Sequence, residues 1–502
     1  MPDALAKPHR TACGRNQQLF PQSLLFTLAL CYNDPRMASA THSHHLKTRP
    51  SRAAQLALFA NQGATGDVSG RVEQNHVPVK ESTFLGGLAS RVHRWFRLTP
   101  SFGPDLVWKA LRDMDTPPSS LVLDPFAGAG TTLIEAKLEG HSALGFELNP
   151  LLYFVSQTSL EWDLDTARLR AGVSRISEEM DRQRSTLGSR PLESLAHLVP
   201  PIHNVYRWWR PDVLADLILL LQSVRKTEQA PKYAHFFELA IAGILVPDLT
   251  NVTLGRLQLH FIDRQRDDIR VWATFEAHVQ KMIEDLDAVH EQGPVGNARI
   301  LCTDATDPDV PYAPLVDRVV TSPPYPNRYS YVWNTRPHLY LLGMFNTAKQ
   351  ASDLDMKTIG GTWGTATSIL SKGRLEPDFP VIAREILPVS DDIRKADNLM
   401  ANYVTKYFNN LGRHIVAQDR LLRQGARLAY VVGCSRIKGV YVETDVLLGK
   451  LFEGLGLGYS VLRIERFRRR HSGKDLHEST VYVRKAANRT TSSTAGPSVS
   501  RP

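Results

Sequence analysis

The run Thr321-Ser322-Pro323-Pro324-Tyr325 closes the apolar stretch Arg318-Val319-Val320. Proline fixes φ and cannot donate to a strand ladder, so two in succession turn a strand exit into a rigid elbow. Such an elbow presents the Ser322 hydroxyl, a backbone carbonyl and the Tyr325 ring together. That set can accept hydrogen bonds and stack on a planar group. A Pro-rich strand exit with no ligand has the same composition, so the elbow gains meaning only from what accompanies it.

Three acidic residues accompany it. Asp124 opens Asp124-Pro125-Phe126-Ala127-Gly128-Ala129-Gly130-Thr131-Thr132, where an apolar run gives way to a helical pattern. An open parallel sheet binds its ligand at such a turn, and Gly128 and Gly130 let the backbone bend and approach that ligand. The turn lacks the Gly-Lys-Ser/Thr of a P-loop and a third glycine at dinucleotide spacing. On its own it leaves a nicotinamide ligand, a phosphate or a plain tight turn open. Glu147 ends the next apolar run, 23 residues after Asp124, where a carboxylate can accept both hydrogen bonds of ribose hydroxyls. Asp304 ends a third run, in Cys302-Thr303-Asp304, and can accept from the exocyclic amine of an adenine. Singly, each acid reads more readily as a helix cap or solvated turn. Three at successive strand ends point to a ligand.

The elements that must hold these residues follow from periodicity. Residues 121–124 read as a strand, 131–139 as a helix stopped by Gly140, and 143–148 as a second strand, which makes a βαβ unit. Near Pro150 the pattern turns helical, with Val213, Leu214, Leu217, Ile218 and Leu221 on one face and further periodic segments over 236–246 and 272–289. Strands resume with ARILCTD and DRVVTSPPY. A polar stretch over about 349–385 precedes a helix near 398–423, the strand RLAYVVG, a helix over 443–455, and the strands SVLRIERF and STVYVRK, close enough in sequence to form an antiparallel pair. Alternating strands and helices predict an α/β, doubly wound sheet.

A chain of 502 residues exceeds one ordinary domain, so it calls for a large core with insertions or two domains in close contact. Its net charge of +9 favours a polyanionic partner, because Lys and Arg release counterions from phosphates. Cys13, Cys31, Cys302 and Cys434 lie far apart without metal-ligand spacing, which argues against a zinc site or disulfide framework and points to no metal. The apolar stretch Leu24 to Tyr32 is too short to span a bilayer, so the expectation is a cytoplasmic chain with no membrane partner. Residues 1–75 lack sustained periodicity and read as a poorly ordered segment in which Met37 is an alternative start. Residues 486–502, rich in Ser and Thr, read as a disordered tail.

DPFAGAGTT, GFELNP, CTDA and TSPPY, in that order, resemble the amino-group DNA methyltransferases. The upstream Ser101-Phe102-Gly103-Pro104 is similar to the segment closing over the methionine part of their cofactor. ARLAYVVGCSRIKGVYVETD and RRRHSGKDLHESTVYV look like later strands and base-pocket loops, so the resemblance spans about 90–485. It implies a Rossmann-like class I fold with a mostly parallel seven-stranded sheet, and S-adenosyl-L-methionine as cofactor. It also implies DNA as partner, and admits a cognate restriction endonuclease. By this resemblance Phe102, Asp124, Phe126, Ala127, Gly128, Gly130 and Thr131 line the cofactor pocket, Glu147 holds the ribose and Asp304 meets the adenine. Ser322, Pro323, Pro324 and Tyr325 are then the catalytic residues. The Ser form of that tetrapeptide is typical of N4-cytosine enzymes, whereas Asp or Asn is commoner in N6-adenine enzymes. Methylation at cytosine C5 would need a Cys in a Pro-Cys turn, which neither Cys302 nor Cys434 has. An RNA base amino-methyltransferase and a catalytically idle DNA-binding protein are the rivals.

About 190 residues separate the cofactor loop from the catalytic loop, more than in compact members of that family. The expected organisation is a first core part over 76–160, a helical insertion over 161–295 that could serve target recognition, and a second core part over 296–485. In the insertion, Arg207-Trp208-Trp209-Arg210 suits phosphate and base contacts or, equally, aromatic packing. Arg466, Arg468, Arg469, Arg470 and Lys474 could line a DNA groove or form a solvated face; with a nucleic-acid substrate suspected, DNA is favoured.

Overall fold

The computed structural model describes residues 66–75, 78, 82–187, 191–255, 258–293, 295–310, 315–327, 329–361, 365–468 and 476–487. The first 65 residues, most of the tail, and Arg469, Arg470 and Lys474 lie outside them.

Short apolar runs bounded by glycine, proline or acidic residues form the central sheet. In chain order its strands are β1 (Val72–Gln74), β2 (Leu121–Asp124), β3 (Ser142–Glu147), β4 (Ala298–Cys302), β5 (Val316–Thr321), β6 (Leu422–Gly433), β7 (Tyr459–Arg468) and β8 (His477–Lys485). Side by side they run β1-β7-β8-β6-β5-β2-β3-β4. Neighbours from β4 through β6 are parallel, and β8 runs antiparallel to both β6 and β7. The expected doubly wound, Rossmann-like sheet is present with its antiparallel end. To the seven strands the structure adds β1, paired in parallel with β7 at the edge.

The strand order fixes where chemistry can occur. The chain passes from β2 outward to β3 and β4, then crosses back to β5 and continues outward to β6 on the other side. The direction reverses between β2 and β5, and ligands bind outside the carboxyl ends of the strands at such a switch point. Those ends carry Asp124 and Thr321.

Helices cover both faces: α1 (Pro104–Asp113), α2 (Thr131–Leu138), α3 (Pro150–Ser159), α4 (Thr166–Leu187), α5 (Pro211–Thr227), α6 (Pro231–Leu245), α7 (Val271–Gln292), α8 (Tyr331–Leu341), α9 (Ala348–Lys357), α10 (Asn398–Asp419) and α11 (Thr444–Gly454). Four of them begin with proline at the first turn, where no intrahelical N–H is lost. The polar stretch before α10 contains α9 and short helices at Thr365–Leu370 and Pro380–Glu385. On one face, Tyr403, Tyr407 and Ile415 of α10 pack with Leu451 of α11.

Between β3 and β4 stand α4 to α7 and a hairpin of Val252–Leu254 with Leu259–Phe261. Their apolar side chains belong to the same core as α1 and α2. Trp95 meets Phe236 of α6 edge-on, with centroids 5.7 Å apart. The buried Asp285 of α7 accepts from the Val92 N–H at 3.0 Å, the Trp95 indole at 2.9 Å and the Arg94 guanidinium at 2.7 and 3.0 Å. That junction anchors α7 to the segment leading into α1.

Parts of the two basic clusters fall among the described residues. Trp209 is fully buried, so packing accounts for it, whereas Trp208, 4% exposed, borders a surface cavity, and Arg210 closes on Asp212. Arg466 is turned inward: its Nε donates to Asp445 at 2.6 Å and its Nη2 to Glu443 at 2.8 Å. Its charge is paired within the fold.

Candidate active site

At the switch point the loops after β2, β3, β4 and β5 surround a cavity of about 800 Å³. Its first wall is the turn after β2. Gly128 and Gly130 have φ of +54° and +90°, the left-handed region that side chains disfavour. A Cβ on Gly130 would lie 2.5 Å from the Ser156 hydroxyl of α3, so glycine here lets α2 and α3 close together behind the turn. Phe126, Ala127, Gly128 and Thr131 face the cavity, with Phe102 opposite. The Ser101 and Thr131 hydroxyls lie 3.2 Å apart and join those two walls.

Asp124 stands behind this wall instead of lining it. It is 1% exposed, and its Oδ1 accepts from the Phe126 N–H at 3.0 Å and the Thr321 hydroxyl at 2.6 Å. Thr321 precedes Ser322, so this carboxylate ties the glycine turn to the double-proline elbow. Burial pushes its carboxyl up to about 6, against the lowering effect of those donors.

Glu147, at the end of β3, does face the cavity. Its Oε2 accepts from the Gly128 N–H at 2.8 Å and its Oε1 from the Asn149 N–H at 2.7 Å. Loss of solvent raises its carboxyl to about 7; the two N–H donors oppose the rise and the negative charge of Asp124 adds to it. A carboxylate offers about four lone-pair sites, so after two backbone bonds it can still accept two hydroxyls. Asp304, beyond β4, holds the Thr306 N–H and hydroxyl on one oxygen, each at 2.8 Å. Thr303, Asp304 and Ala305 form the third wall.

Ser322 and Pro324 form the fourth. Pro323 is buried, and the Tyr325 ring lies against Gly433 at the end of β6, where a Cβ would come within 2.7 Å of it. Of the thirteen residues named from the sequence, Asp124, Gly130, Pro323 and Tyr325 thus stand beside the lining, and the other nine form part of it.

The structure adds lining residues that the sequence reading missed. Asn149 caps α3 by accepting the Leu151 N–H at 3.0 Å; the pair Asn149-Pro150 was the available signal. Tyr331 of α8, Lys357 at the end of α9, and Thr358 and Ile359 beyond it also reach the cavity, with no local pattern to mark them. Behind Phe126 lies the buried His414 of α10, edge-on at 4.7 Å between centroids. Its ring nitrogens meet the Ala305 carbonyl at 3.1 Å and the Tyr430 hydroxyl at 2.7 Å. Burial lowers this imidazole to about 4, although the bond to Ala305 opposes the shift, so it is a neutral strut between the first and third walls.

Among the described residues no group of three or more His, Cys, Asp and Glu is placed to hold a metal ion. No helix among them is long and apolar enough to cross a membrane.

Comparison with known proteins bears on the same region. The model of a family described as DNA methylase matches residues 96–155, which hold the Phe102 segment, the glycine turn and Glu147. The chain is 21% identical to the type II methyltransferase M.BsoBI of Geobacillus stearothermophilus, over 77% of this chain and 84% of that one. M.AvaI of Nostoc sp. is 22% identical over 74% and 80%, and M.MvaI of Kocuria varians 20% over 74% and 82%.

Proposed function

We propose, from the premise that this chain belongs to the amino-methyltransferase family, that it transfers a methyl group from S-adenosylmethionine to N4 of a cytosine flipped out of DNA. One observation carries the reading: Ser322 and Pro324 of the rigid elbow line the same cavity as Glu147 and Asp304. A donor held by those acids would therefore lie beside the elbow.

The residues suit that donor. Glu147 retains acceptor capacity for ribose hydroxyls, Asp304 can accept from the adenine amine, and Phe126 offers an apolar face. Phe102 and Leu98 border the end nearest the Ser101–Thr131 contact, which suits the methionine portion. When bound, S-adenosylmethionine supplies an electrophilic methyl on a sulfonium that is a good leaving group.

The chain's own work is on the base. A base amine inside a duplex cannot reach the rim of a sheet, so the nucleotide must leave the stack at a cost of a few kcal/mol. Tyr325, held against Gly433, offers a ring on which it stacks. The amine lone pair is delocalised into the ring and weakly nucleophilic. Hydrogen bonds from its N–H groups to Ser322 and to the Pro323 carbonyl favour a more tetrahedral nitrogen. Asp124 then acts through position: by holding Thr321 and the Phe126 N–H together it fixes the elbow relative to the donor loop, and alignment of reacting atoms supplies much of an enzyme's acceleration. The Ser at 322 favours cytosine over adenine.

The test is to incubate protein, DNA and methyl-labelled S-adenosylmethionine, digest to nucleosides and identify the labelled one. N4-methylcytosine is expected. N6-methyladenine would change the base and keep the site, and label found only with RNA would overturn the DNA reading.

A further inference from the structure

A second cavity, of about 350 Å³, opens where the inserted segment meets α8. Trp208 forms its floor, 4% exposed, with its indole N–H donating to the His203 carbonyl at 3.3 Å. Phe261 of the hairpin and Trp333 of α8 form two walls, their centroids 5.0 and 6.0 Å from that of Trp208. An arginine covers each wall: the Arg207 guanidinium lies 3.9 Å from the Phe261 centroid and that of Arg336 4.9 Å from the Trp333 centroid.

Those two cations are unlike their neighbours. Arg210, three residues beyond Arg207, closes on Asp212 and on the Arg264 and Asp267 carbonyls. Among the described residues no carboxylate neutralises Arg207 or Arg336, and the Nε of Arg336 is buried without a hydrogen-bond partner. An aromatic cluster that served packing alone would have no need of two uncompensated guanidinium groups at a concave surface. Aromatic faces with unpaired arginines match a ligand that is both planar and anionic, which a nucleotide is. The cavity is also coupled to the first: α8 places Tyr331 in one and Trp333 and Arg336 in the other.

We infer that this cavity receives a base of the DNA other than the one methylated, guanine being favoured, and so contributes to sequence choice. A guanidinium over a ring occupies the place of a stacked base. An entering base takes the ring face and moves the arginine to the base edge, where its fork can donate to guanine O6 and N7. The inference rests on DNA being the substrate and gives the inserted segment, through Arg207 and Phe261, a part in reading it.

The experiment methylates a random-sequence DNA pool with the parent, Arg207→Gln, Arg336→Gln and Arg336→Lys, and sequences the methylated fraction. Cofactor affinity serves as the folding control. Selectivity at one position is expected to fall about tenfold or more in the Gln variants, a single good base contact being worth roughly that. Arg336→Lys is expected to relax the same position although its charge is kept, because the planar fork is lost. Should Arg336→Gln lose cofactor binding through misfolding, Arg207→Gln, at an exposed position, carries the test. Parental selectivity in every variant that binds cofactor would overturn the inference, as would weakening that is uniform across all sequences. A parent that leaves DNA unmethylated would instead overturn the reading of the substrate, before any variant is considered.

Discussion

Acids at the two halves of the sheet are held in opposite ways. On the parallel side, Asp124 and Glu147 are held by N–H and hydroxyl donors, with no cation paired to them among the described residues, and both carboxyls are raised, to about 6 and about 7. On the antiparallel side, Asp445 sits at zero exposure between the Arg466 guanidinium and the Ser479 hydroxyl. Burial alone would raise it, but Arg466 reverses the balance and its carboxyl is lowered. Asp445 is complete within the fold. Glu147 is not, and an acid left short of positive partners at a cavity is the kind that a ligand completes. Asp124 separates the two properties, because it shares the raised carboxyl but faces Thr321 and positions a loop.

The largest effect expected from this contrast is on stability. Asp445→Asn leaves Arg466 buried without its full counter-charge, and breaking such a pair costs about 3–5 kcal/mol; the melting temperature should drop sharply. Ser322→Ala comes next and should reduce methyl transfer about a hundredfold, as loss of one transition-state hydrogen bond can, while calorimetry finds cofactor affinity unchanged. If Ser322→Ala weakened cofactor binding equally, the division between elbow and donor site would fail. Glu147→Gln removes a charged acceptor and should weaken cofactor binding about tenfold or more without the stability loss of Asp445→Asn.

The smallest effect should come from pH. Asp124 and Glu147 hold protons in the folded state that the unfolded chain releases nearer 3.8 and 4.5. The folded state therefore binds more protons between about pH 4 and 7, and stability of the ligand-free protein declines as pH rises through that window. Asp445 works in the other direction: its contribution is present above its unfolded value and is lost on acidification. Scanning calorimetry across pH should find the decline flattened in Glu147→Gln. Cofactor affinity should also rise with pH toward and through 7 in the parent, as Glu147 ionises, and lose that rise in the variant. An equal slope in both proteins would break the comparison.

What the sequence disclosed and what it concealed divide along the same physical line. The glycine turn, the double proline and the acids at strand ends are local signals, written within a few residues, and they mark eight residues that line the cavity. Features set by distant partners were illegible. Asp124 looks like a pocket residue until Thr321, 197 positions later, accounts for its orientation. Arg466 looks like a groove residue until Asp445 is found beside it. The strand β1 has three residues, Val-Glu-Gln, too few and too polar for a period to register. Lys357, Thr358 and Ile359 reach the cavity through the packing of α9 against α8, which no periodicity encodes.

The most direct test of the account is a crystal structure of the full chain with S-adenosylhomocysteine, the spent form of the donor. The ribose hydroxyls are expected on Glu147, the adenine beside Asp304 and Phe126, and the sulfur directed toward Ser322. A ligand bound away from this cavity, or bound within it with its sulfur turned from the elbow, would contradict the assignment of donor site and catalytic loop together.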